Sequence, residues 1–567
     1  MNIFDYENED SIGYVSSVDT ATLVISVENE KMLSHLQVNH LLVIRSSKTN
    51  QNLIAIVSKI MRKSLLEFVS DEEDQVSVEN VIKATLIGTH VNKIGSSTNI
   101  FKRTLESVPE INSECFVLNG DKLTSFMQAI SNQSSSSKSP LSLGKYILDE
   151  EAEAWLDGNK FFQRHAVIVG STGSGKSWSV ARLLEQVSEL NASNAVVFDI
   201  HGEYKSLESA GFVHYKVAGP NDKPKNDVIF LPYWLLTYEE MLSMLLDRSD
   251  NNAPNQAMIF SNSVLIEKES LLKENDLLQE YENFTLDSPI PYKLENVLEF
   301  LKIKDLEMVE GSRGPKQGPF NGKLTRFIQR LNAKMSDKRL SFLFNESNDL
   351  LKLDYLDELA EKLIGWSSNE TSGVKIIDFS EVPSDILPLI IGLVTRLIFS
   401  IQQWTIRENR HPVALFCDEA HLYIPSSSDN TLDNHANQTF ERVAKEGRKY
   451  GVALVVISQR PSEVNRTVLS QCNNFVALRL TNVDDQNVVK RLLPDSLGNF
   501  AELLPVLDIG EAIVVGDSSL LPSRIKVQEP TLKPTSGTID FWDEWSDRTT
   551  PTTISTSINS MRKQSRQ

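Results

Sequence analysis

The chain has 567 residues, a formal net charge of −19 and three cysteines, Cys115, Cys417 and Cys472. This length predicts two or three domains, and 40% hydrophobic residues exclude a disordered chain. The wide cysteine spacing excludes a disulfide framework or a cysteine zinc site and favours a reducing compartment. The acidic balance excludes a surface coated with nucleic-acid-binding groups, but it does not exclude a narrow pore in which local charge decides binding.

No segment is predicted to cross a membrane. The longest apolar run, residues 386–394, falls well short of the roughly 18 to 20 residues that a membrane helix requires. The N-terminus is acidic and lacks the basic and apolar regions of a signal peptide. These observations predict a cytoplasmic protein without membrane contact.

The first part of the chain has the pattern of a small β domain. Residues 21–27, 41–44, 53–57 and 81–88 are short runs rich in β-branched side chains, and polar turn residues separate them. Several short strands in so small a segment predict an N-terminal β-barrel domain over residues 1–128. The serine-rich segment that follows predicts a linker over residues 129–144.

From about residue 161, apolar strands alternate with helical segments, which predicts an α/β domain with a parallel sheet over residues 145–545. More than 170 mainly helical residues separate the second and third strands and predict a helical insertion at about 225–370. The tail, residues 546–567, is rich in polar residues and is predicted to be disordered. The predicted strands are residues 165–169, 195–200, 374–379, 413–417, 452–458, 475–480 and 511–515.

A phosphate-binding loop follows the first of these strands. Its residues fit the pattern G-x-x-x-x-G-K-[ST]; they are Gly170, Ser171, Thr172, Gly173, Ser174, Gly175, Lys176 and Ser177. Backbone amides of such a loop face the phosphates, with a helix N-terminus behind them. Lys176 is expected to reach the β- and γ-phosphates of ATP, and the Ser177 hydroxyl is expected to bind Mg²⁺. The alternative is a glycine turn before an ordinary helix.

Two adjacent carboxylates supply a second half-site. Asp418 and Glu419 follow the apolar strand at 413–417, at the carboxyl end where α/β sheets bind ligands. Asp418 is expected to hold Mg²⁺ through water, and Glu419 is expected to be the base that polarises the attacking water. Gln459 ends the next strand and is a candidate sensor of the γ-phosphate; the alternative is an ordinary glutamine at a strand end.

At this point the chain resembles the HerA-type ATPases, relatives of the FtsK DNA pumps. Besides the nucleotide motifs, four segments support the resemblance: DIHGEY at 199–204, LPYW at 231–234, EGRKYG at 446–451 and SQRP at 458–461. The resemblance implies a RecA-like P-loop ATPase core behind an N-terminal HAS-type barrel. It also implies a homo-hexamer with ATP and Mg²⁺ at each interface and DNA in the central pore. For a role in bacterial antiviral defence, the resemblance implies a partner effector that docks on the barrel. This effector would be a sirtuin-like NADase or a nuclease.

The resemblance also implies an arginine that reaches into the site of the neighbouring subunit. Arg164, just before the phosphate-loop strand, is the first candidate, and a solvated arginine at a strand end is the alternative. Arg448 is the second, as a phosphate sensor, although Lys445 and Lys449 beside it are equally consistent with a solvated helix face.

The segment DIHGEY offers two further acidic side chains. In the functional interpretation, Asp199 and Glu203 position water or metal near the γ-phosphate. In the structural interpretation, they cap the turn that follows the strand. The sequence leaves both interpretations open.

A basic segment at residues 311–340 is the candidate DNA contact. Its eight positive charges, less the one acid Asp337, give +7 in thirty residues. Such a segment could follow phosphates without reading bases; a solvated basic helix or a protein-docking surface is the alternative. The positive residues are Arg313, Lys316, Lys323, Arg326, Arg330, Lys334, Lys338 and Arg339.

Two functions from different classes follow. The first is an ATP-driven DNA translocase or helicase. The second is an ATPase ring that acts mainly as the scaffold and activator of an effector, since the chain has no nuclease or NAD-hydrolysing motif of its own. A nucleotide kinase with the same loop fits poorly, because the chain is too long and carries Glu419 directly after the metal-binding aspartate.

Overall fold

The computed structural model describes residues 4, 6–7, 10–28, 30–33, 36–48, 50–67, 75–91, 100–105, 107–135, 139–312, 314–365, 373–427, 431–493, 495–535, 541–547 and 554–563. The strands are β1 Ser11–Asp19, β2 Thr22–Val27, β3 Leu41–Arg45, β4 Gln51–Glu67, β5 Gln75–Val91, β6 Ile100–Lys102, β7 Glu114–Val117, β8 Pro140–Tyr146, β9 Asp149–Asp157, β10 Ala166–Val169, β11 Ala195–Asp199, β12 Phe212–Val217, β13 Val228–Ile229, β14 Met308–Gly311, β15 Gly314–Gln317, β16 Val374–Asp378, β17 Val413–Cys417, β18 Val452–Ser458, β19 Asn474–Leu478, β20 Glu511–Gly516 and β21 Ser523–Val527.

The α-helices are α1 Glu30–Leu33, α2 Gly120–Ser135, α3 Gly158–Gln163, α4 Lys176–Ser188, α5 Tyr238–Leu245, α6 Ala253–Glu274, α7 Leu294–Leu306, α8 Thr325–Ser336, α9 Ser341–Phe344, α10 Tyr355–Ile364, α11 Leu387–Trp404, α12 Thr431–Tyr450, α13 Arg466–Ser470, α14 Val483–Leu492, α15 Phe541–Asp547 and α16 Ile554–Lys563. The chain forms two compact units. The first unit comprises Met1–Gln186, Val455–Ser462 and Leu469–Thr531, and the second comprises Val187–Leu454, Glu463–Val468 and Leu532–Gln567.

The predicted N-terminal barrel is present in the first unit. Strands β1 to β5 and β7 pair in the order β2-β1-β7-β3-β4-β5, and antiparallel pairing of β2 with β5 closes the ring. Its interior is a cluster of aliphatic side chains, among them Ile25, Leu42, Leu53 and Ile82, all inaccessible to solvent. Closure pairs the strand edges that an open sheet of these strands would expose.

The first unit also carries the phosphate-loop strand. Within it, β10 lies between β18 and β19 and runs parallel to both. Antiparallel strands continue from β19 in the order β20-β21-β8-β9. The α/β core is therefore confirmed, and its sheet is mixed.

The second unit contains five parallel strands in the order β13-β12-β16-β11-β17. All residues of β11 and β17 are buried, as in strands covered on both faces. The predicted insertion is mainly helical, from α5 to α10, and also holds the hairpin β14–β15. Each of the seven predicted strands overlaps a strand of the structure, from β10 to β20.

Two segments differ from the prediction. The serine-rich segment, predicted to be a linker, belongs to α2 as far as Ser135, and β8 begins at Pro140. The Gln133 side chain explains the helical end, because its amide accepts from the Phe101 N–H at 3.0 Å and donates to the Phe101 carbonyl at 2.9 Å. The tail, predicted to be disordered, contains α16, whose apolar residues recur at helical spacing.

Among the described residues, α11 is long and apolar enough to cross a membrane, but 72% of it is buried within the structure. A core helix of a globular domain has the same composition, and α11 packs beside α12 in the second unit. All three cysteines are buried.

The barrel contains a buried histidine. His90 of β5 is 1% exposed, and its ring centroid lies 4.6 Å from that of Phe4 in a T-shaped arrangement. Neither ring nitrogen has a hydrogen-bond partner among the described residues. Burial lowers the pKa of His90 to about 4, because the charged imidazolium would lose its hydration.

We expect His90 to make the barrel sensitive to acid. The unfolded chain binds a proton near pH 6.5 and the folded barrel only near pH 4, so stability present above pH 6.5 is lost as the pH falls towards 4, by about 3 kcal/mol in all. His90→Phe should remove this dependence, measured by urea unfolding between pH 7 and 5. His435→Phe is the control, and an unchanged pH dependence in His90→Phe would contradict the assignment.

Candidate nucleotide-hydrolysis site

The phosphate loop joins β10 to α4 in the first unit. All of β10 is buried, so the loop begins from a fixed point, and the Ser174 N–H donates to the Ser171 carbonyl at 3.1 Å. Gly175 has φ +98°, and a Cβ there would meet backbone atoms of Gly510 at 3.2 Å. A side chain at this position would therefore be both strained and crowded, which explains the glycine. Lys176 is 5% exposed at the start of α4.

Three segments of the first unit hold the loop from outside. The Ser171 N–H donates to the Arg479 carbonyl at 2.8 Å, and the Gly510 N–H donates to the Ser174 carbonyl at 2.9 Å. The Thr172 hydroxyl donates to Oε1 of Gln459 at 2.6 Å. Gln459, predicted as a sensor, thus contacts the phosphate loop directly.

The acidic pair lies in the second unit, directly after β17. Asp418 and Glu419 are 1% and 2% exposed, and the Glu419 N–H donates to Oδ1 of Asp418 at 3.0 Å. Glu419 has φ +45°, a left-handed conformation that is unusual for a residue with a side chain. His421 Nδ1 lies 3.4 Å from Oε2 of Glu419. Such a strained backbone conformation is typical of positions where function fixes the geometry.

Asp199 ends β11, and its carboxylate caps the next turn. It accepts from the N–H groups of Gly202, Glu203 and Tyr204 at 2.8 to 3.0 Å. Burial, together with the nearby Asp418 carboxylate, raises the pKa of Asp199 to about 7 against the lowering effect of the backbone donors. The geometry supports the structural interpretation of Asp199, namely a cap that fixes the turn beside Asp418.

Both candidate arginines precede a strand at its amino end. Arg164 lies two residues before β10, is half-exposed, and its Nε is 3.7 Å from Oδ2 of Asp517. Arg448 is an exposed residue in the last turn of α12, just before β18. The phosphate loop, by contrast, follows the carboxyl end of β10. Arg164 therefore lies at the opposite end of β10 from the phosphate loop of its own chain.

The donors present suit a magnesium nucleotide. The Asp418 carboxylate and the Ser177 hydroxyl are hard oxygen donors of the kind that Mg²⁺ prefers. Lys176 adds a positive charge beside the loop amides, where a triphosphate carries negative charge. In the functional interpretation, Glu419 accepts a proton from water.

The sequence did not identify the loop at 508–511. The Asp508 N–H donates to Oε2 of Glu511 at 2.9 Å, and the Val527 N–H donates to the Gly510 carbonyl at 2.8 Å. These bonds make the turn rigid where it touches the phosphate loop. A glycine before an apolar strand is a turn signal, but no sequence signal identifies the segment that this turn contacts.

Two models of known protein families match the chain. Residues 141–398 match the family model described as "Helicase HerA, central domain", and residues 407–536 match "Helicase HerA-like C-terminal". The two models together include the phosphate loop, Asp418, Glu419 and Gln459. The chain belongs to the HerA-type helicase family. It is therefore an ATPase, as the two nucleotide motifs predicted, and the barrel precedes the region that the two models match.

Curated relatives of the HerA type match most of the chain. The DNA double-strand break repair helicase HerA of Saccharolobus solfataricus is 25% identical over 405 residues, 70% of this chain and 71% of that protein. The protein of the same name from Sulfurisphaera tokodaii is 27% identical over 416 residues, 72% of this chain and 73% of that protein.

Among solved structures, VirB4 of Thermoanaerobacter pseudethanolicus is similar, with 17% identity, a TM-score of 0.43, and coverage of 70% of this chain and 98% of that chain. The plasmid coupling protein TrwB in complex with ADP and Mg²⁺ is similar with 14% identity, a TM-score of 0.43, and coverage of 72% and 94%.

Two substitutions separate nucleotide binding from hydrolysis. We expect Lys176→Ala to lose ATP binding, because the loop then lacks its phosphate-facing charge. We expect Glu419→Gln to bind ATP but to hydrolyse it at least about 100-fold more slowly, because the amide cannot accept a proton from water. Fluorescent-nucleotide binding and phosphate release measure the two effects. Glu446→Gln, on an exposed helix face of the same unit, is the matched control, and undiminished hydrolysis by Glu419→Gln would remove Glu419 from the role of base.

Proposed function

We propose that the chain is an ATP-dependent DNA translocase or helicase of the HerA type. The observation that carries the proposal is the match of two HerA models to the segments that hold the phosphate loop and the acidic pair. The relatives named above are DNA double-strand break repair helicases, which supports DNA as the substrate of movement here.

Each site residue has a proposed role in hydrolysis. The loop amides and Lys176 bind the β- and γ-phosphates, and Ser177 and Asp418 hold Mg²⁺. Bound Mg²⁺ neutralises negative charge on the phosphoryl oxygens. Glu419 orients and polarises the attacking water. Gln459, bonded to Thr172 of the loop, reports the state of the γ-phosphate to β18.

The proposal includes a ring of six copies with a shared site. The position of Arg164 at the amino end of β10 supports a role in the site of the adjacent copy, and Arg448 is the second candidate for that interface. A guanidinium group suits the role because it is always charged and binds two oxygens at once.

In the structure, fewer residues of the basic segment at 311–340 are available to contact DNA than the sequence predicted. Arg330 pairs with Asp247 at 2.8 Å, and Arg339 pairs with Asp337 at 2.7 Å, so neither offers its full charge to phosphate. Arg313 lies outside the described residues. Lys316, Lys323, Arg326 and Lys338 are exposed, and Lys334 is partly exposed. These five residues remain the proposed contacts, and their combined charge is sufficient when several copies act together.

The second candidate is an ATPase ring that serves mainly as scaffold and activator of an effector. The neutralised arginines and the net charge of −19 favour it. The effector proposed from the resemblance is a sirtuin-like NADase or a nuclease that docks on the N-terminal barrel, which precedes the matched HerA region. The antiviral role belongs to the same proposal.

Duplex DNA should distinguish the two candidates. A translocase should show an ATPase rate that rises with DNA, and the rise should shrink as salt increases, since phosphate contacts release counterions. Combined Lys316→Ala, Lys334→Ala and Lys338→Ala substitutions should weaken the rise, whereas Lys352→Ala, an exposed lysine paired with Asp349, should preserve it. A rate that ignores DNA and responds to a co-purifying protein would contradict the translocase and favour the scaffold.

A further inference from the structure

A short C-terminal segment is bonded to the loop that follows β11. We call Lys533–Thr535 the strap and residues 199–206 the Asp199 loop. The Thr535 N–H donates to the Glu203 carbonyl at 2.8 Å, and the Thr535 hydroxyl donates to the same carbonyl at 3.0 Å. The Ser206 hydroxyl donates to the Lys533 carbonyl at 2.6 Å. The Thr535 hydroxyl also lies 3.5 Å from the Gly202 carbonyl, so segments about 330 residues apart in sequence are joined by several hydrogen bonds within the second unit.

The Asp199 loop is held from two sides. On the inner side, the Asp199 carboxylate accepts from three of its N–H groups. On the outer side, Thr535 donates to its Glu203 carbonyl. One peptide segment thus has its amides fixed by a side chain of β11 and a carbonyl fixed by the strap. Such a loop can shift little unless one of the two sets of bonds breaks.

The Asp199 loop begins next to the acidic pair, because Phe198 of β11 pairs with Cys417 of β17. Tyr204 is inaccessible to solvent, and its hydroxyl has no hydrogen-bond partner among the described residues. Burial raises the pKa of Tyr204 well above its usual value, and the carboxylates of Asp418, Asp199, Glu203 and Glu419 raise it further. The position of Tyr204 and Glu203 therefore contributes to the electrostatic environment in which Glu419 works, because interactions between buried charges are strong and depend on distance.

We propose that the strap is a positioning element for ATP hydrolysis. It holds Glu203 and Tyr204 in fixed positions relative to Asp418 and Glu419. This inference rests on the hydrolytic roles proposed above for Asp418 and Glu419. Thr535 touches neither nucleotide nor water in this scheme and acts through the loop. Loosening the strap should therefore slow the chemical step and leave nucleotide binding, which depends on the phosphate loop, largely intact.

The test compares variants that remove strap bonds with variants that keep them. Thr535→Pro removes both donors of residue 535, and the pair Thr535→Val and Ser206→Ala removes the hydroxyl bonds but keeps the N–H. Thr535→Ser retains every bond. Thr531→Val is the matched control, since Thr531 is exposed and lies four residues before Thr535. For each full-length variant the measurements are kcat, KM for ATP, the affinity for fluorescent ADP, and the thermal unfolding midpoint.

We expect kcat to fall about tenfold in Thr535→Pro and several-fold in the double variant, since each change removes several hydrogen bonds of the strap. KM and ADP affinity should stay within about twofold, and Thr535→Ser and Thr531→Val should match the wild type. The proposal is overturned if both bond-removing variants keep the wild-type kcat, or if kcat falls only in parallel with nucleotide affinity or the unfolding midpoint. A wild-type ATPase rate that does not change with DNA would contradict the translocase function. The comparison of the strap variants would still test the positioning role.

Discussion

The main physical constraint on the structure is the burial of carboxylates at the carboxyl ends of buried strands. Asp199, Asp418 and Glu419 are almost inaccessible to solvent, and a buried charge is costly unless hydrogen bonds or a cation offset that cost. Three backbone N–H groups hold Asp199, and the Glu419 N–H bonds to Asp418. The left-handed turn at Glu419 and the capped Asp199 loop follow from this constraint. A site that already holds several acids is suited to a cationic partner such as Mg²⁺ and to proton transfer from water.

The sequence predicted the parts of the fold that local patterns encode. Strands such as β17 and β18 are continuous apolar runs, buried along their whole length, and this pattern is typical of strands covered on both faces. The phosphate loop was predicted because its glycines and Lys176 serve a backbone geometry that few other sequences adopt. The acidic pair followed from its place at a strand end. In each case the signal lies within about ten neighbouring residues.

Contacts between distant segments could not be predicted in this way. The bonds of Gln133 to Phe101, of Gly510 to Ser174 and of Thr535 to Glu203 join residues whose own neighbourhoods give no sign of a partner. The serine-rich composition predicted a linker. In the structure the first part of this segment is the end of α2, which the Gln133 amide bonds to the edge strand β6. Charge counting overestimated the basic segment, because Asp247 lies far from Arg330 in sequence and pairs with it in the fold.

The central claim is that hydrolysis occurs in sites to which adjacent copies contribute. Mixing Arg164→Ala chains, which keep the phosphate loop, with Lys176→Ala chains, which keep the arginine, tests it most directly. The account predicts that two inactive preparations regain ATPase activity, with a maximum near equal proportions. Asp517→Asn, which removes the acid beside Arg164, should retain activity by itself. Inactivity at every mixing ratio, or full activity of Arg164→Ala alone, would contradict the shared site.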